Sequence, residues 1–453
     1  MPTSRDRAEA SAVGRLGLWR DRNFCMLWLG ETTSLFGTSI SRVALPLVAV
    51  LTVQASVFQV GALTAATWLP WLIIGLPAGA WVDRLPRRPL LLVCDVVSLF
   101  VLLSVPVAAW VDVVTFSHLM AVALLLGTAG VFFSTAYSVY VPSVVVPEDL
   151  SEANAKLQGS EAVAQVVGPG VAGVLAQLLG AVAGLVVDAL SFLVSAVCLL
   201  RIHEPERPPT TRPATGLREE VVIGLRLVAA DPYLRVLTLH GALTNLTLVG
   251  CQSVLVVFLV RDLSLGAAGV GALVGAMSAG GVLGAAAAPA LARRVGSGRA
   301  LLVGALGTAP FGLLIPLATP GAGVVLVAVG GAVVGAGAVC GNVIKDSWRQ
   351  AYCPRPLLGR VLVSMQVCNY GAIPIGALLA GVLGSSIGLR PTLWVLTAGL
   401  ALAAFTLFLW PLTRDPDLPS TPSPGVRPGV RRRRGSGLGR AAPGSRRPRP
   451  ADA

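Results

Sequence analysis

The chain has 453 residues, of which 54% are hydrophobic and 13% are charged, whereas soluble domains contain about 25% charged residues. This composition excludes an ordinary soluble protein and indicates a membrane protein. The formal net charge of +13 does not indicate nucleic-acid binding, because such proteins concentrate basic residues on a soluble fold, and here the arginines lie between apolar stretches. The seven cysteines contain no C-x-x-C pair and predict neither a disulfide framework nor a metal site.

Twelve apolar stretches follow one another along the chain. A helix needs about 20 apolar residues to cross the ~30 Å hydrocarbon core of a bilayer. The predicted spans cover residues 24–50, 57–81, 89–111, 116–140, 159–179, 182–201, 233–260, 268–291, 299–318, 322–344, 361–384 and 391–412. The sequence therefore predicts an all-α membrane protein with two six-helix bundles, in residues 24–201 and 233–412.

Three segments lie outside the predicted bundles. Residues 1–23 precede the first span as an N-terminal cytosolic segment. In the linker of residues 202–232, apolar residues recur at helical spacing from Leu217 to Val228, which predicts an amphipathic helix along the membrane face. Residues 413–453 are rich in Pro, Gly, Ser and Arg and predict a disordered basic tail. We expect the tail and the basic loops to attract anionic lipid.

Basic residues lie almost entirely on one side of the predicted membrane. Twelve spans place both termini on the same side, and the five connections on the other side contain only Arg261 and Arg390 as basic residues. Lys156, Lys345 and Arg349 belong to the basic side. Because cytoplasmic loops carry an excess of Lys and Arg, we predict a multi-pass protein of the plasma membrane with both termini in the cytoplasm.

A weak internal repeat relates the two halves. A shift of 210 residues aligns Gly61 in the second span with Gly271 in the eighth. A shift of 208 residues aligns the run Ala172-Gly-Val-Leu175 in the fifth span with Ala380-Gly-Val-Leu383 in the eleventh. Parallel repeats of six helices predict a transporter with pseudo-two-fold symmetry.

A charged turn follows the second span. It combines one carboxylate with three guanidinium groups, which can pair with helix ends and with carboxylates of neighbouring helices. Such a cluster can hold one conformation closed. The candidate latch residues are Gly79, Asp83, Arg84, Arg87 and Arg88.

This turn resembles the G-x-x-x-D-R-x-G-R-R signature of the major facilitator superfamily, with Pro86 in place of the second Gly. In that superfamily the motif latches the cytoplasmic side of the outward-open state. The resemblance therefore implies that Asp83 lies near Gly359 and Arg360, at the start of the eleventh span. It extends over about residues 23–411 and implies two six-helix bundles.

The fifth span carries the sequence Gly168-Pro169-Gly170-Val-Ala-Gly173. It resembles the end of the G-P-x-x-G-G antiporter motif of the superfamily, with Ala172 at one Gly. Ordinary packing of small residues is the alternative, because Pro and Gly also permit bending and close helix contact.

Other short stretches resemble the drug:proton antiporter group that includes macrolide-efflux proteins and the enterobactin exporter. Examples are Tyr140-Val-Pro and Asp188-Ala-Leu-Ser-Phe.

Few ionisable residues lie within the predicted spans, and each costs several kcal/mol unless it faces a cavity or a partner. Glu31 and Arg42 share the first span but are about 16 Å apart at ~1.5 Å per residue, so they do not pair directly. The first span lines the central cavity in the superfamily. The resemblance thus makes Glu31 a candidate proton-coupling site and Arg42 a candidate contact for an anionic substrate. Asp95, Glu161 and Asp188 lie nearer the span ends and are interpreted as interfacial pairs or caps.

Uncharged polar residues on other spans are candidates for the same cavity. Hydrogen bonding between packed helices explains them equally well. These residues are Gln165, Asn245, Gln252, Gln366, Asn369 and Tyr370.

No Walker A sequence, H-E-x-x-H or G-x-S-x-G motif occurs in the chain, so we predict that it is not an enzyme and needs neither a cofactor nor a metal. The predicted function is secondary active transport, in which the proton gradient drives efflux of lipophilic small molecules by alternating access. We expect a monomer without a nucleic-acid partner. Two alternatives remain: proton symport for uptake, and a membrane receptor or scaffold that does not transport.

Replacement of Asp83 by Asn removes the carboxylate of the latch loop while preserving its size. We expect weaker efflux of a lipophilic fluorescent dye from energised cells, and loss of efflux when a protonophore collapses the proton gradient. Dye retention in cells that express equal amounts of each protein measures both effects. Unchanged efflux by the Asp83→Asn protein would contradict a functional latch.

Overall fold

The computed structural model describes residues 18–82, 84–146, 148–203, 217–408 and 416–419. Across these ranges the regular structure is helical, without a β-strand. The first half contains α1 (Arg22–Leu51), α2 (Val57–Ile73), α3 (Gly75–Val82), α4 (Arg87–Trp110), α5 (Phe116–Val144), α6 (Leu150–Leu179) and α7 (Ala183–Arg201). The linker forms α8 (Leu217–Ala230). The second half contains α9 (Pro232–Arg261), α10 (Ala267–Val295), α11 (Ser297–Thr308), α12 (Leu314–Leu317), α13 (Val325–Tyr352), α14 (Arg355–Ser386) and α15 (Leu389–Phe405).

Eleven helical stretches in the described residues are long and apolar enough to cross a membrane. The remaining one of the twelve predicted spans is the second, which forms two shorter helices, α2 and α3, that meet at Ile74. Pro70 lies one turn before this break and lacks the N–H that a continuous helix needs. The predicted all-α fold with two six-helix bundles is thus confirmed.

Two helices extend further than the hydropathy pattern indicated. α6 begins at Leu150 and α13 continues to Tyr352, so Lys156, Lys345 and Arg349 lie in helices. The predicted spans left these residues out because the hydropathy pattern stops at polar residues, whereas a helix continues through them once its backbone hydrogen bonds are in place.

Both ends of the described chain lie on one side of the fold, which we call the terminal side; the opposite side is the far side. On the far side the two bundles meet along two helix crossings, α2 with α14 and α6 with α10. At the first crossing, a Cβ on Gly61 would lie 2.6 Å from the Ala377 carbonyl oxygen and 3.0 Å from the Gly381 Cα. At the second, a Cβ on Gly173 would lie 2.9 Å from the Gly271 Cα. Only glycine permits such close backbone contact.

The two crossings are related to each other by the internal repeat. The repeat aligns Gly61 with Gly271 and Gly173 with Gly381, and in the fold Gly61 contacts Gly381 while Gly271 contacts Gly173. One pseudo-two-fold operation therefore exchanges the two crossings. The bundles share a symmetric interface made of backbone contacts.

Among the described residues, the bundles share a buried core on the far side and not on the terminal side. There a single buried apolar cluster joins residues of both halves, for example Leu47 and Leu119 with Leu255 and Leu393. On the terminal side the clusters belong to one half each. The described structure is therefore closed on the far side and open on the terminal side.

Part of the segment predicted as a disordered tail packs against the second bundle. The Asp417 carboxylate accepts the Ser297 N–H at 2.8 Å, at the start of α11, and the Trp348 Nε1–H donates to the Pro419 carbonyl at 2.9 Å. Leu418 is buried. The prediction of disorder does not hold for residues 416–419; the remainder of the tail lies outside the described residues.

The predicted linker helix is present as α8. It packs against α14 and leads into α9, and its orientation to a membrane stays a prediction. Asp231 ends the linker and is fully buried. One of its carboxylate oxygens accepts the N–H groups of Tyr233 and Leu234, both at 2.9 Å, and the other accepts the Tyr352 hydroxyl at 2.6 Å. The N-cap of α9 is thereby joined to the terminal-side end of α13.

Substitution of Gly173 by Leu tests the importance of the α6–α10 crossing. The added side chain meets the backbone of α10, and overpacking costs about 1–3 kcal/mol, so we expect a lower melting temperature for the purified protein. Gly170→Leu is the matched control, because a Cβ on Gly170 meets no atom within 4 Å. Equal melting temperatures for the two variants would contradict the crossing as a stabilising contact.

Candidate functional site

A cavity of about 480 Å³ lies in the terminal-side half of the second bundle. Residues of α9, α11, α13, α14 and α15 form its wall. Four polar residues that the sequence predicted for a cavity lie here together: Asn245, Gln366, Asn369 and Tyr370. Gln165 and Gln252 are not among the residues that line this cavity.

Asn245 and Asn369 connect α9 to α14. The Asn245 side-chain amide donates to the Asn369 main-chain carbonyl at 3.2 Å. The Asn369 side-chain oxygen is buried and has no hydrogen-bond partner among the described residues. An unpaired buried acceptor costs about 1–3 kcal/mol, so the Asn369 side chain destabilises this arrangement of α9 and α14.

Tyr370 lies between the cavity and the other bundle. Its ring contacts Trp68 and Trp71 of α2 edge-on, with centroids 5.6 Å and 5.4 Å apart. Aromatic pairs in this geometry contribute about 0.5–1.5 kcal/mol each. The cavity wall is thus coupled directly to the α2–α14 crossing.

Charged residues of α13 also face the cavity. Lys345, Asp346 and Arg349 line it, and Arg349 forms an ion pair with Asp346 one helical turn away. An Arg349 N–H also lies 3.8 Å from the Met365 sulfur. Sequence reasoning missed these residues as cavity components because it ended the tenth span at residue 344.

A group of carboxylates occupies the first bundle. Glu31 of α1, Asp95 of α4 and Glu161 of α6 lie eight to eleven residues from the terminal-side ends of their helices, or about 12–17 Å at ~1.5 Å per residue. Glu31 is close enough to the other two for their charges to interact. Gln165, a predicted cavity residue, donates its side-chain amide to Glu161 at 3.0 Å. Three carboxylates at one depth in a membrane bundle form a strong functional candidate.

Asp95 is the most enclosed of these groups. It is 0% exposed, and neither carboxylate oxygen has a hydrogen-bond partner among the described residues, although Ser195 of α7 lies near. The interpretation of Asp95 as an interfacial pair or cap was therefore wrong. Asp95 lies only about two helical turns from the end of α4, but the neighbouring helix α7 covers its side chain.

Arg42 and Asp188 lie nearer the far side. Arg42 is exposed, and Glu161 and Asp188 are close enough to interact with its charge. Asp188 is buried and accepts the Ser191 hydroxyl at 3.2 Å. Glu161 therefore lies within electrostatic range of both Glu31 and Arg42, which cannot pair with each other.

The charged turn after the second span makes structural contacts. The Arg88 guanidinium donates to the carbonyls of Leu199 and Leu200 at 2.8 Å and 2.7 Å, at the last turn of α7. Cations at helix C-termini stabilise them. Arg84 is exposed and Arg87 is partly buried. Asp83 lies outside the described residues, as do the side chains of Gly359 and Arg360, so the predicted latch stays a prediction.

The sequence family described as transmembrane secretion effector matches residues 14–436. The chain belongs to this family. The predicted membership of the major facilitator superfamily is confirmed, and with it the prediction that the chain is a multi-pass membrane transporter and not an enzyme.

The chain is similar to the multidrug efflux pump Tap of Mycolicibacterium fortuitum. It is 30% identical over 397 residues, which cover 85% of this chain and 95% of the relative. Among solved structures, a bacterial homologue of the iron transporter ferroportin shares 19% identity and was determined in two states.

The two states of that homologue agree with this fold to different extents. The inward-facing structure gives a TM-score of 0.66 and covers 87% of this chain and 99% of that one. The outward-facing structure gives 0.55, with 86% and 99% covered. Both comparisons show the same fold.

The glycines of the fifth-span motif play different parts in this fold. Gly168 packs on α1, where a Cβ would lie 2.5 Å from the Ser39 Cβ, and Gly173 forms the crossing with α10. The Pro169 carbonyl touches Gly271, whereas Gly170 and Gly79 have open space beside them. Close packing therefore accounts for Gly168 and Gly173, and the antiporter interpretation of the motif stays a prediction.

Replacement of Tyr370 by Leu removes both aromatic contacts with α2. We expect a loss of about 1–3 kcal/mol of stability, seen as a lower melting temperature of the purified transporter. Tyr370→Phe keeps the ring and should melt close to the wild type. If the Leu and Phe variants melt together, the aromatic contact does not stabilise the interface.

Proposed function

We propose that this transporter exports lipophilic small molecules in exchange for protons, and that its terminal side is the cytoplasmic side. The observation that carries the proposal is the group of Glu31, Asp95 and Glu161 in the first bundle. Carboxylates enclosed in a membrane are costly when charged, so they favour proton uptake and release as their exposure changes. The similarity to a multidrug efflux pump supports export.

The two bundles supply the parts of an alternating-access cycle. In the terminal-side-open state, the second bundle offers a cavity that cargo can enter from the cytoplasm. The helices must separate at the far-side crossings before cargo is released. The glycine contacts there present no bulky interlocked side chains that would oppose this separation. Protonation of the carboxylates in the first bundle would then accompany the return to the terminal-side-open state.

Proteoliposomes distinguish the possible modes of transport. Purified protein is reconstituted and given either an acidic lumen or an acidic exterior, with 8-anilinonaphthalene-1-sulfonate or ethidium as probes whose charge is constant over this pH range. Antiport predicts that the acidic lumen drives dye accumulation. Symport predicts that the acidic exterior does so, and a scaffold predicts accumulation in neither case. The result is independent of the orientation of the protein in the vesicle.

Neutral replacements identify the carboxylates that carry protons. We expect Asp95→Asn or Glu31→Gln to lower proton-driven accumulation at least tenfold, because the neutral side chain can no longer bind and release a proton. Exchange of internal for external dye without a pH gradient should persist. The matched control is Glu152→Gln, which alters a carboxylate paired with Lys156 near the start of α6.

If Glu31→Gln, Asp95→Asn and Glu161→Gln all retain proton-driven transport, the carboxylate group does not couple transport to protons. If one of them also loses dye exchange, that residue acts in cargo binding or folding, and the melting temperature of the variant separates these two cases.

A further inference from the structure

The chain contains only two lysines among its 35 basic residues, and their surroundings differ. Lys156 forms an ion pair with Glu152 at 2.7 Å and lies 5.0 Å from the centre of the Trp19 ring. Lys345 lines the cavity of the second bundle, and no carboxylate of the described residues lies within 4.0 Å of its ammonium. The cavity thus contains a cation without an ion-pair partner in its described wall.

The charge balance of the cavity leaves this cation uncompensated. Asp346 is the only carboxylate among the lining residues, and it is paired with Arg349. The charge close to Lys345 is that of Arg349, a second cation. Arg42 in the first bundle is different, because two carboxylates, Glu161 and Asp188, lie within range of its charge. An anionic ligand at Lys345 therefore meets less competition from neighbouring carboxylates than one at Arg42.

The remaining wall is suited to the rest of an amphipathic molecule. Leu237, Leu248 and Leu400 contribute apolar surface to the cavity. Asn245 and Gln366 add polar groups to the same wall. Pockets of this kind, apolar with a few oriented polar groups, are typical of small-molecule sites.

We propose that this cavity binds an amphipathic anion, a lipophilic molecule with one carboxylate, sulfonate or phosphate group, and that Lys345 pairs with its anionic group. The proposal rests on the proposed function only in taking the cavity as the cargo site. An anionic lipid head group shares this chemistry; we assign the site to a free solute, and the test separates the two.

Binding is measured with the full-length protein in phosphatidylcholine nanodiscs. The ligands are 1-pyrenebutyrate and 1-pyrenebutanol, which differ only in their charged or neutral end group. Energy transfer from tryptophan to pyrene gives the affinity after subtraction of empty nanodiscs. We expect pyrenebutyrate to bind at least tenfold more tightly, because an enclosed ion pair discriminates strongly against a neutral analogue.

Substitutions assign that preference to one side chain. Lys345→Met should abolish it, Lys345→Arg should retain it, and Lys156→Met should behave as the wild type. A preference that survives in Lys345→Met, or equal affinities for the two ligands in the wild type, would overturn the proposal. These measurements use no pH gradient, so a failure of proton coupling leaves them unchanged.

Acylation of the two lysines provides a test that needs no variant. An amine-reactive reagent is applied to the wild type, and mass spectrometry quantifies modification of each lysine. Pyrenebutyrate should protect Lys345 and leave Lys156 reactive, whereas equal reactivity with and without ligand would contradict binding at Lys345. If nanodiscs of phosphatidylglycerol protect Lys345 without added ligand and weaken pyrenebutyrate binding, the occupant is a lipid and the assignment to a free solute is wrong.

Discussion

Close backbone contact between four glycines determines how the two halves of this transporter meet. In lipid, apolar helices gain little from leaving their surroundings, so association depends on packing and on small residues. Gly61 with Gly381 and Gly173 with Gly271 supply that packing at two crossings. Residues adjacent to all four glycines belong to the far-side core that the two halves share.

The crossings also connect the interface to the candidate site. α14 carries both Gly381 at its far-side end and Tyr370, whose ring touches α2 and lines the cavity. A change in the α2–α14 contact therefore moves a cavity wall directly. One continuous helix is sufficient for this coupling, and a pathway through further residues is not required.

Ionisable groups are distributed unequally between the bundles. The first bundle encloses Glu31, Asp95 and Glu161, whereas the cavity of the second is lined by Lys345 and Arg349. Arg42 in the first bundle and Asp346 at the cavity are the exceptions, and each has an oppositely charged neighbour. The proposed proton site and the proposed cargo site therefore lie in different bundles.

Hydropathy and charge along the chain were sufficient to predict twelve spans in two halves. Asn245, Gln366, Asn369 and Tyr370 were predicted for a central cavity shared with the first bundle, whereas the cavity that they line lies in the second bundle. Apolar length and positive-charge bias are local properties, and the bilayer selects them without reference to tertiary contacts. The environments of Asp95, Lys345 and the four glycines could not be predicted in this way. Burial and pairing depend on which helices are neighbours, and backbone contacts between distant residues decide this. Gly61 and Ala377 are more than 300 positions apart, and Gly173 and Gly271 are about 100 apart. Periodicity along one helix carries no information about them.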